Sequence, residues 1–203
     1  MAPKTGEKNG TREMAIVLPE INIQTFEIKL IGDSELIMHA WADKAIKQIQ
    51  DKQGKKAKTA KEARDPHQEY LDSMYQIDDD TYGFPTVAFK AAAVNACSQV
   101  EGVTKVNARA AFHIDGELLP IESDPPYMRT DMVRIGMGVS DVRYRGGFKN
   151  WTAIVPIKFN ADVLSAEQII NIFNLAGFGV GIGEWRPQKN GSYGRFHVEV
   201  NGA

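Results

Sequence analysis

A segment in the last third of the sequence combines alternating glycines with aromatic and basic side chains. It reads GFGVGIGEWRP over residues 177–187 and GSYGRF over residues 191–196. It has neither the Gly-Lys-Ser/Thr ending of a phosphate-binding loop nor the Gly-x-Gly-x-x-Gly dinucleotide fingerprint. Alternating glycines leave one face of an extended chain bare, so that another backbone can approach it closely. Rings that stack on bases and cations that bind phosphates are typical of surfaces for single-stranded nucleic acid. The candidate contacts in this segment are Gly181, Gly183, Trp185, Arg186, Lys189, Tyr193 and Arg195.

A second cluster interleaves arginine, aromatic and glycine residues over positions 143–151. Guanidinium groups pair with phosphates while rings stack on bases, which suits a surface that follows a nucleic-acid backbone. Its candidate contacts are Arg143, Tyr144, Arg145 and Lys149. Both clusters also have a purely structural interpretation. The glycines would then form a flexible hairpin with Trp185 over the core edge, and the arginines would lie on an exposed edge strand with Phe148 and Trp151 buried.

A lysine-rich segment runs from Lys44 to Lys61. It could neutralise several phosphates, each of which steepens the salt dependence of binding. A solvated helix that continues into a mobile loop explains the same composition. The role of this segment stays open.

Signals for catalysis and for metal binding are weak. The four histidines, His39, His67, His113 and His197, have no metal-ligand spacing, so we expect no metal and no cofactor. Asp78–Asp80 is interpreted as an acidic turn, and Cys97 as a small core residue. A histidine titrates near neutral pH, and His113 or His197 could therefore act as a general base on RNA.

The composition is that of an ordinary globular protein. The chain has 203 residues, 43% of them hydrophobic, one cysteine and a formal net charge of −2. A single cysteine excludes internal disulfides and fits a reducing compartment, which we expect to be the cytoplasm of a bacterial cell. No segment approaches the roughly 20 apolar residues of a membrane span, and the first residues lack the apolar region of a secretory signal. The near-neutral charge does not by itself favour nucleic acid.

Hydrophobic periodicity predicts the elements that position these residues. Phe26, Ile28 and Leu30 alternate with charged residues, which predicts a strand. Residues 87–94 predict a helix of small residues, and residues 110–121 a strand, a turn and a strand. Residues 151–159 form an alternating strand in which Pro156 suggests an edge position or a bulge. Ser165 and Gln168 form a capping box for a helix that we expect to end near Gly177, and residues 196–200 predict a last strand.

This order predicts an α+β fold: a ferredoxin-like, split βαβ antiparallel sheet with helices on one face and inserted hairpins or loops. Residues 1–14 are expected to be a disordered tail. Residues 15–203 are expected to form a single domain with a basic helical or mobile insertion at about 42–80.

The segments 151–159, 165–176, 177–186 and 191–196 resemble the glycine-rich ending of the RAMP superfamily, the ferredoxin-like proteins that form the RNA-binding backbone of CRISPR effectors. Residues 83–90 are similar to the loop-to-helix entry of that superfamily, but they lack its usual serines. The chain also looks like small proteins of bacteriophage and prophage genomes. The resemblance implies a protein that binds single-stranded nucleic acid and polymerises along it, with Lys90, Arg186 and Arg195 as contacts.

We therefore expect a non-catalytic, phage-encoded protein that binds single-stranded RNA or DNA, with homo-oligomer formation and no membrane partner. A self-associating virion or assembly protein is the first alternative. A metal-independent ribonuclease is the second.

Overall fold

The computed structural model describes residues 20–40, 50, 53–54, 63–136 and 138–199. The predicted N-terminal tail and most of the lysine-rich segment 44–61 lie outside these residues. The strands are β1 Ile23–Gly32, β2 Leu36–Met38, β3 Tyr75–Gln76, β4 Tyr82–Pro85, β5 Phe112–His113, β6 Leu118–Ile121, β7 Tyr127–Ile135, β8 Val139–Phe148, β9 Thr152–Asn160 and β10 Phe196–Val198. The helices are α1 Pro66–Asp72, α2 Thr86–Ala96, α3 Lys105–Ala111 and α4 Ala166–Gly179. Among the helices that the structure describes, none combines the length with the apolar composition that a membrane crossing requires.

The main sheet has four antiparallel strands in the order β10-β1-β9-β5. Helix α2 lies in the connection from β1 to β5, and α4 connects β9 to β10. Each of these connections joins two strands that are separated by one antiparallel strand, as in a split βαβ arrangement. The ferredoxin-like α+β fold predicted from the sequence is confirmed.

One face of the main sheet forms the core. In β1 and β9, Ile28, Leu30, Val155 and Ile157 are buried, whereas the residues between them, such as Lys29, point to solvent. Strand β9 lies between β1 and β5 in the strand order, but at Pro156 it pairs with β1 alone, so that the expected edge position holds locally. Strand β5 pairs only with residues 158 and 159 of β9, and the β5 ladder therefore does not require an N–H at position 156.

Two three-stranded sheets hold the inserted hairpins, in the orders β2-β8-β7 and β3-β4-β6. Residues 110–121 do contain two strands, but these do not pair with each other. Strand β5 joins the main sheet, and β6 pairs with β4. Strands β7 and β8 form a long hairpin in which Asp131 lies opposite Arg143 and Arg129 opposite Arg145.

Helix α4 begins with the predicted capping box of Ser165 and Gln168, in which both reciprocal hydrogen bonds form. The helix does not end at Gly177, as predicted, but continues to Gly179. Gly177 is buried inside the helix, and a Cβ at this position would collide with the carbonyl oxygen of Phe196. This glycine therefore permits the close packing of α4 against β10.

Candidate nucleic-acid interface

The glycine-rich segment folds into a compact loop over residues 180–195, which we call the glycine loop. Backbone hydrogen bonds attach it to the β2 region: Glu184 N donates to Ile37 O at 3.0 Å, and Gly194 N donates to Glu35 O at 2.8 Å. The loop also closes on itself, since Ile182 N donates to Gly194 O at 3.0 Å. These bonds give the glycine loop a defined position against the body of the protein.

Glycine is required at several points of this loop. Gly181, Gly183 and Gly194 have φ values of 68°, 75° and 62°, in the left-handed region that favours glycine. A Cβ on Gly183 would also approach the carbonyl oxygen of Ile37 too closely. The close approach of another backbone that the alternating glycines predicted is therefore present, and the backbone belongs to β2.

A cleft of about 230 Å³ lies between the glycine loop and helix α2. The helix presents Ala88, Ala91, Ala92 and Asn95 to it. The opposite side is lined by residues 180–184, Arg186 and Gln188 of the glycine loop, and His39, Tyr75 and Phe84 complete the lining. Small side chains on the helix and glycines on the loop keep the cleft open.

Arg186 provides the positive charge of the cleft lining. Its Nη1 donates to the carbonyl oxygen of Gly183 at 2.9 Å, and its Nε donates to Oε1 of Gln188 at 3.3 Å. A guanidinium has five N–H donors, and these two bonds leave several of them available for a phosphate or a base. The loop therefore holds Arg186 in place without using all of its donors.

Glu184 lines the same cleft. Its Oε1 lies 3.5 Å from His39 Nδ1, and its Oε2 lies 3.7 Å from Arg145 Nη2. The hydrogen bond from His39 is the main reason why the pKa of Glu184 lies below its ordinary value, although burial opposes the shift. This carboxylate is therefore ionised at neutral pH.

Arg145 lies behind Glu184 and is only 4% exposed. Its guanidinium is 3.8 Å from Asp131, and its Nε and Nη1 atoms have no hydrogen-bond partner. Burial lowers the pKa of Arg145. Because Arg145 is almost completely buried between Asp131 and Glu184, it can support the site mainly by holding these two carboxylates.

The rings of Trp185 and Tyr193 face a third arginine that sequence reasoning missed. The Arg129 guanidinium lies 5.9 Å from the centre of the Trp185 ring and 5.0 Å from that of Tyr193. Arg129 also pairs with Glu35 at 3.0 Å and with Asp131 at 3.1 Å. Both rings are half-buried, and their contacts with Arg129 attach the glycine loop to the β7–β8 hairpin.

The remaining predicted contacts lie on the glycine loop and on or next to strand β8. Lys189 is exposed on the glycine loop, and Arg195 Nε donates to Ser192 O at 3.2 Å. On β8, Arg143 pairs with Asp141 at 2.9 Å, while Tyr144 packs under Arg64. Lys149, directly after β8, is exposed, with its Nζ 4.8 Å from the centre of the Tyr127 ring.

Lys90 lies outside the cleft lining although it is on α2. Its Nζ is 3.1 Å from His113 Nδ1, and burial lowers its pKa. Of the predicted contacts, Gly181, Gly183 and Arg186 line the cleft, whereas Lys90, the second cluster and the other candidates of the glycine loop do not. Among the described residues there is no group of three or more metal-ligating side chains.

No protein-family model and no curated protein matches this sequence. Solved structures do. A chain in the cryo-EM structure of the Type III-B Cmr-beta complex bound to cognate target RNA is similar with a TM-score of 0.50 and 10% sequence identity, over 88% of this chain. This chain spans 60% of the length of that one. The crystal structure of Cmr6 from Pyrococcus furiosus matches with a TM-score of 0.43 and 10% identity, over 88% of this chain and 99% of that one. The first comparison supports the RAMP-like fold that the sequence resemblance predicted.

Proposed function

We propose that this protein binds single-stranded nucleic acid, RNA or DNA, without cleaving it. The cleft between α2 and the glycine loop carries this proposal. The cleft is open and lined mainly by small residues, and Arg186 in its lining has N–H donors that are free to bind a phosphate. Lys189 adds a second positive charge on the same loop. Arg186, Lys189 and Arg195 are the proposed phosphate contacts, and Gly181 and Gly183 keep the path open.

Two further observations support a nucleic-acid ligand. The chain with the similar fold belongs to a complex bound to target RNA. The resemblance of the glycine-rich segment to RAMP proteins also points to RNA, and the likeness to small phage and prophage proteins is the basis for proposing a phage source.

Fluorescence polarisation with labelled single strands of about 15 nucleotides, the upper range of a typical binding site, tests the proposal. We expect binding that weakens steeply between about 50 and about 200 mM salt. Arg186→Ala should weaken it, whereas Arg109→Ala, an exposed arginine on α3, should not. If neither RNA nor DNA binds at the lower salt concentration, the proposal is wrong.

Self-association is the second candidate function, and the β7–β8 hairpin favours it. Met132 is 75% exposed, and Ile135, Val139 and Val142 are exposed as well. A cluster of exposed apolar side chains is typical of a protein–protein contact. Light scattering of the purified protein distinguishes this function: large particles in the absence of nucleic acid support it, and a strictly monomeric profile excludes it.

The absence of cleavage can be tested with the same protein. Two histidines have close partners that could assist a reaction: His113 lies beside Lys90, and His197 Nδ1 lies 2.6 Å from Asp33 Oδ1. We expect labelled RNA to remain intact on a denaturing gel. Cleavage that disappears in His113→Ala or His197→Ala would instead identify a ribonuclease.

A further inference from the structure

An ionised carboxylate lies in a cleft that otherwise suits a polyanion. Glu184 lines the cleft, and His39 and Arg145 hold its two oxygens from the sides. A carboxylate repels a phosphate and can only accept hydrogen bonds. Any part of a nucleic acid that approaches Glu184 must therefore present N–H or O–H donors.

The lining of the cleft offers mostly small and apolar groups to a base. Helix α2 contributes Ala88, Ala91 and Ala92, and the glycine loop contributes Gly181 and Gly183. Tyr75 and Phe84 also line the cleft, with their ring centres 5.7 Å apart in an edge-to-face arrangement. Proteins that recognise single strands commonly take an unstacked base into such a slot and read its Watson–Crick edge.

We infer that the cleft selects guanine and that the Glu184 carboxylate accepts hydrogen bonds from the Watson–Crick edge of this base. This inference rests on the proposed function. Guanine presents its N1–H and its N2 amino group side by side, so that each can donate to one carboxylate oxygen. Adenine and cytosine present one amino group next to an unprotonated ring nitrogen, which a carboxylate oxygen repels. Uracil presents a single N–H between two carbonyl groups.

Other polar groups in the lining complete this recognition. The side-chain amides of Asn95 and Gln188 line the cleft and are exposed. Each amide has two N–H donors, and either side chain can serve the guanine O6 acceptor. Arg186, which donates to Gln188, also lines the cleft and can contact a phosphate of the bound strand.

A series of ligands tests the inference on the unaltered protein. The probe is a fluorescent oligouridylate with one central guanosine, which is replaced in turn by adenosine, cytidine, inosine or 7-deazaguanosine. We expect guanosine to bind about 5- to 150-fold more tightly than adenosine or cytidine. Inosine, which lacks the N2 amino group, should lose a large part of this preference. The 7-deaza analogue should keep it, because N7 lies on the other edge of the base.

A protein variant adds the matching test. Glu184→Gln replaces one acceptor oxygen by a donor, so it should abolish the preference for guanosine while the plain oligouridylate still binds. A thermal melt establishes that the variant is folded, and Glu167→Gln on α4 provides an exposed control.

The outcomes separate the inference from the proposed function. Salt-dependent binding with equal affinity for guanosine, inosine and adenosine overturns the selection of guanine and leaves nucleic-acid binding intact. Loss of affinity with the 7-deaza analogue but not with inosine also overturns the role of Glu184. If none of the oligonucleotides binds at low salt, both the inference and the proposed function are wrong.

Discussion

The Arg129 guanidinium lies 3.0 Å from the Glu35 carboxylate and thereby joins the long β7–β8 hairpin to the start of β2. The two side chains are only 15% and 14% exposed. Tyr127 donates to the same carboxylate, and Asp131 pairs with the same guanidinium. Because the rings of Trp185 and Tyr193 face Arg129, this pair also supports the glycine loop, together with the backbone hydrogen bonds of the loop to Glu35 and Ile37.

Replacement of Arg129 by alanine should destabilise the fold. It would leave Glu35 and Asp131 as poorly compensated charges, and removing one partner of a buried ion pair costs about 3–5 kcal/mol of unfolding free energy. Urea denaturation measures the change, with Arg109→Ala on α3 as the exposed control. Equal midpoints and slopes for both variants would contradict a stabilising role of the pair.

Two glycines at the end of α4 should respond in opposite ways to the same substitution. Gly177→Ala places a methyl group against the Phe196 carbonyl and should cost about 1–3 kcal/mol, as overpacking does. Gly179→Ala meets no neighbouring atom and should stabilise the protein by about 0.4–1 kcal/mol through the unfolded chain. Thermal or urea unfolding of the two variants tests this. A stable Gly177→Ala protein would show that β10 can shift away from the helix.

The pKa of Glu184 predicts a pH dependence of stability. Since the folded state holds this pKa below its ordinary value of 4.5, the ionised group contributes stability above that pH and loses it as the pH falls through the folded value. Urea unfolding at a series of pH values should therefore show a less steep acid loss for Glu184→Gln than for the unaltered protein. Parallel curves below pH 4.5 would contradict the prediction.

If Lys189 contacts a phosphate, its replacement by alanine should change the salt dependence of binding. Loss of one phosphate contact with a single strand lowers the slope of log affinity against log salt by about 0.7. The measurement is a salt titration by fluorescence polarisation, with Lys105→Ala on α3 as the control. An unchanged slope would place Lys189 outside the interface.

The sequence predicts best those elements that show a regular hydrophobic period. Strand β9, helix α4 and strand β10 have alternating or helical apolar patterns, and Ser165 and Gln168 mark where the helix begins. Together with the strand at residues 26–30 and the helix at 87–94, these elements predicted the ferredoxin-like fold. The end of α4 could not be predicted, because the need for Gly177 comes from Phe196, a residue of another element.

The β7–β8 hairpin gives a weaker signal because one of its faces is covered with charged residues. Arg129 and Asp131 on β7 and Arg145 on β8 share this face, which reads in the sequence as a solvated one. Asp131 and Arg145 are nevertheless buried. Glu35, the partner of Arg129, and Glu184, the partner of Arg145, lie in distant parts of the sequence. Basic and aromatic composition therefore identified the glycine loop as a candidate site, but it could not distinguish surface arginines from those that support the loop.

The attachment of the glycine loop to the β2 region has a consequence for the order of folding. Ser34 Oγ accepts a hydrogen bond from Arg195 N, 161 positions later in the chain. Closing such a distant contact has a high entropic cost, which native packing elsewhere must first offset. On a translating ribosome, the cleft beside α2 should consequently stay incomplete until the segment through Arg195 has emerged, late in the synthesis of the polypeptide.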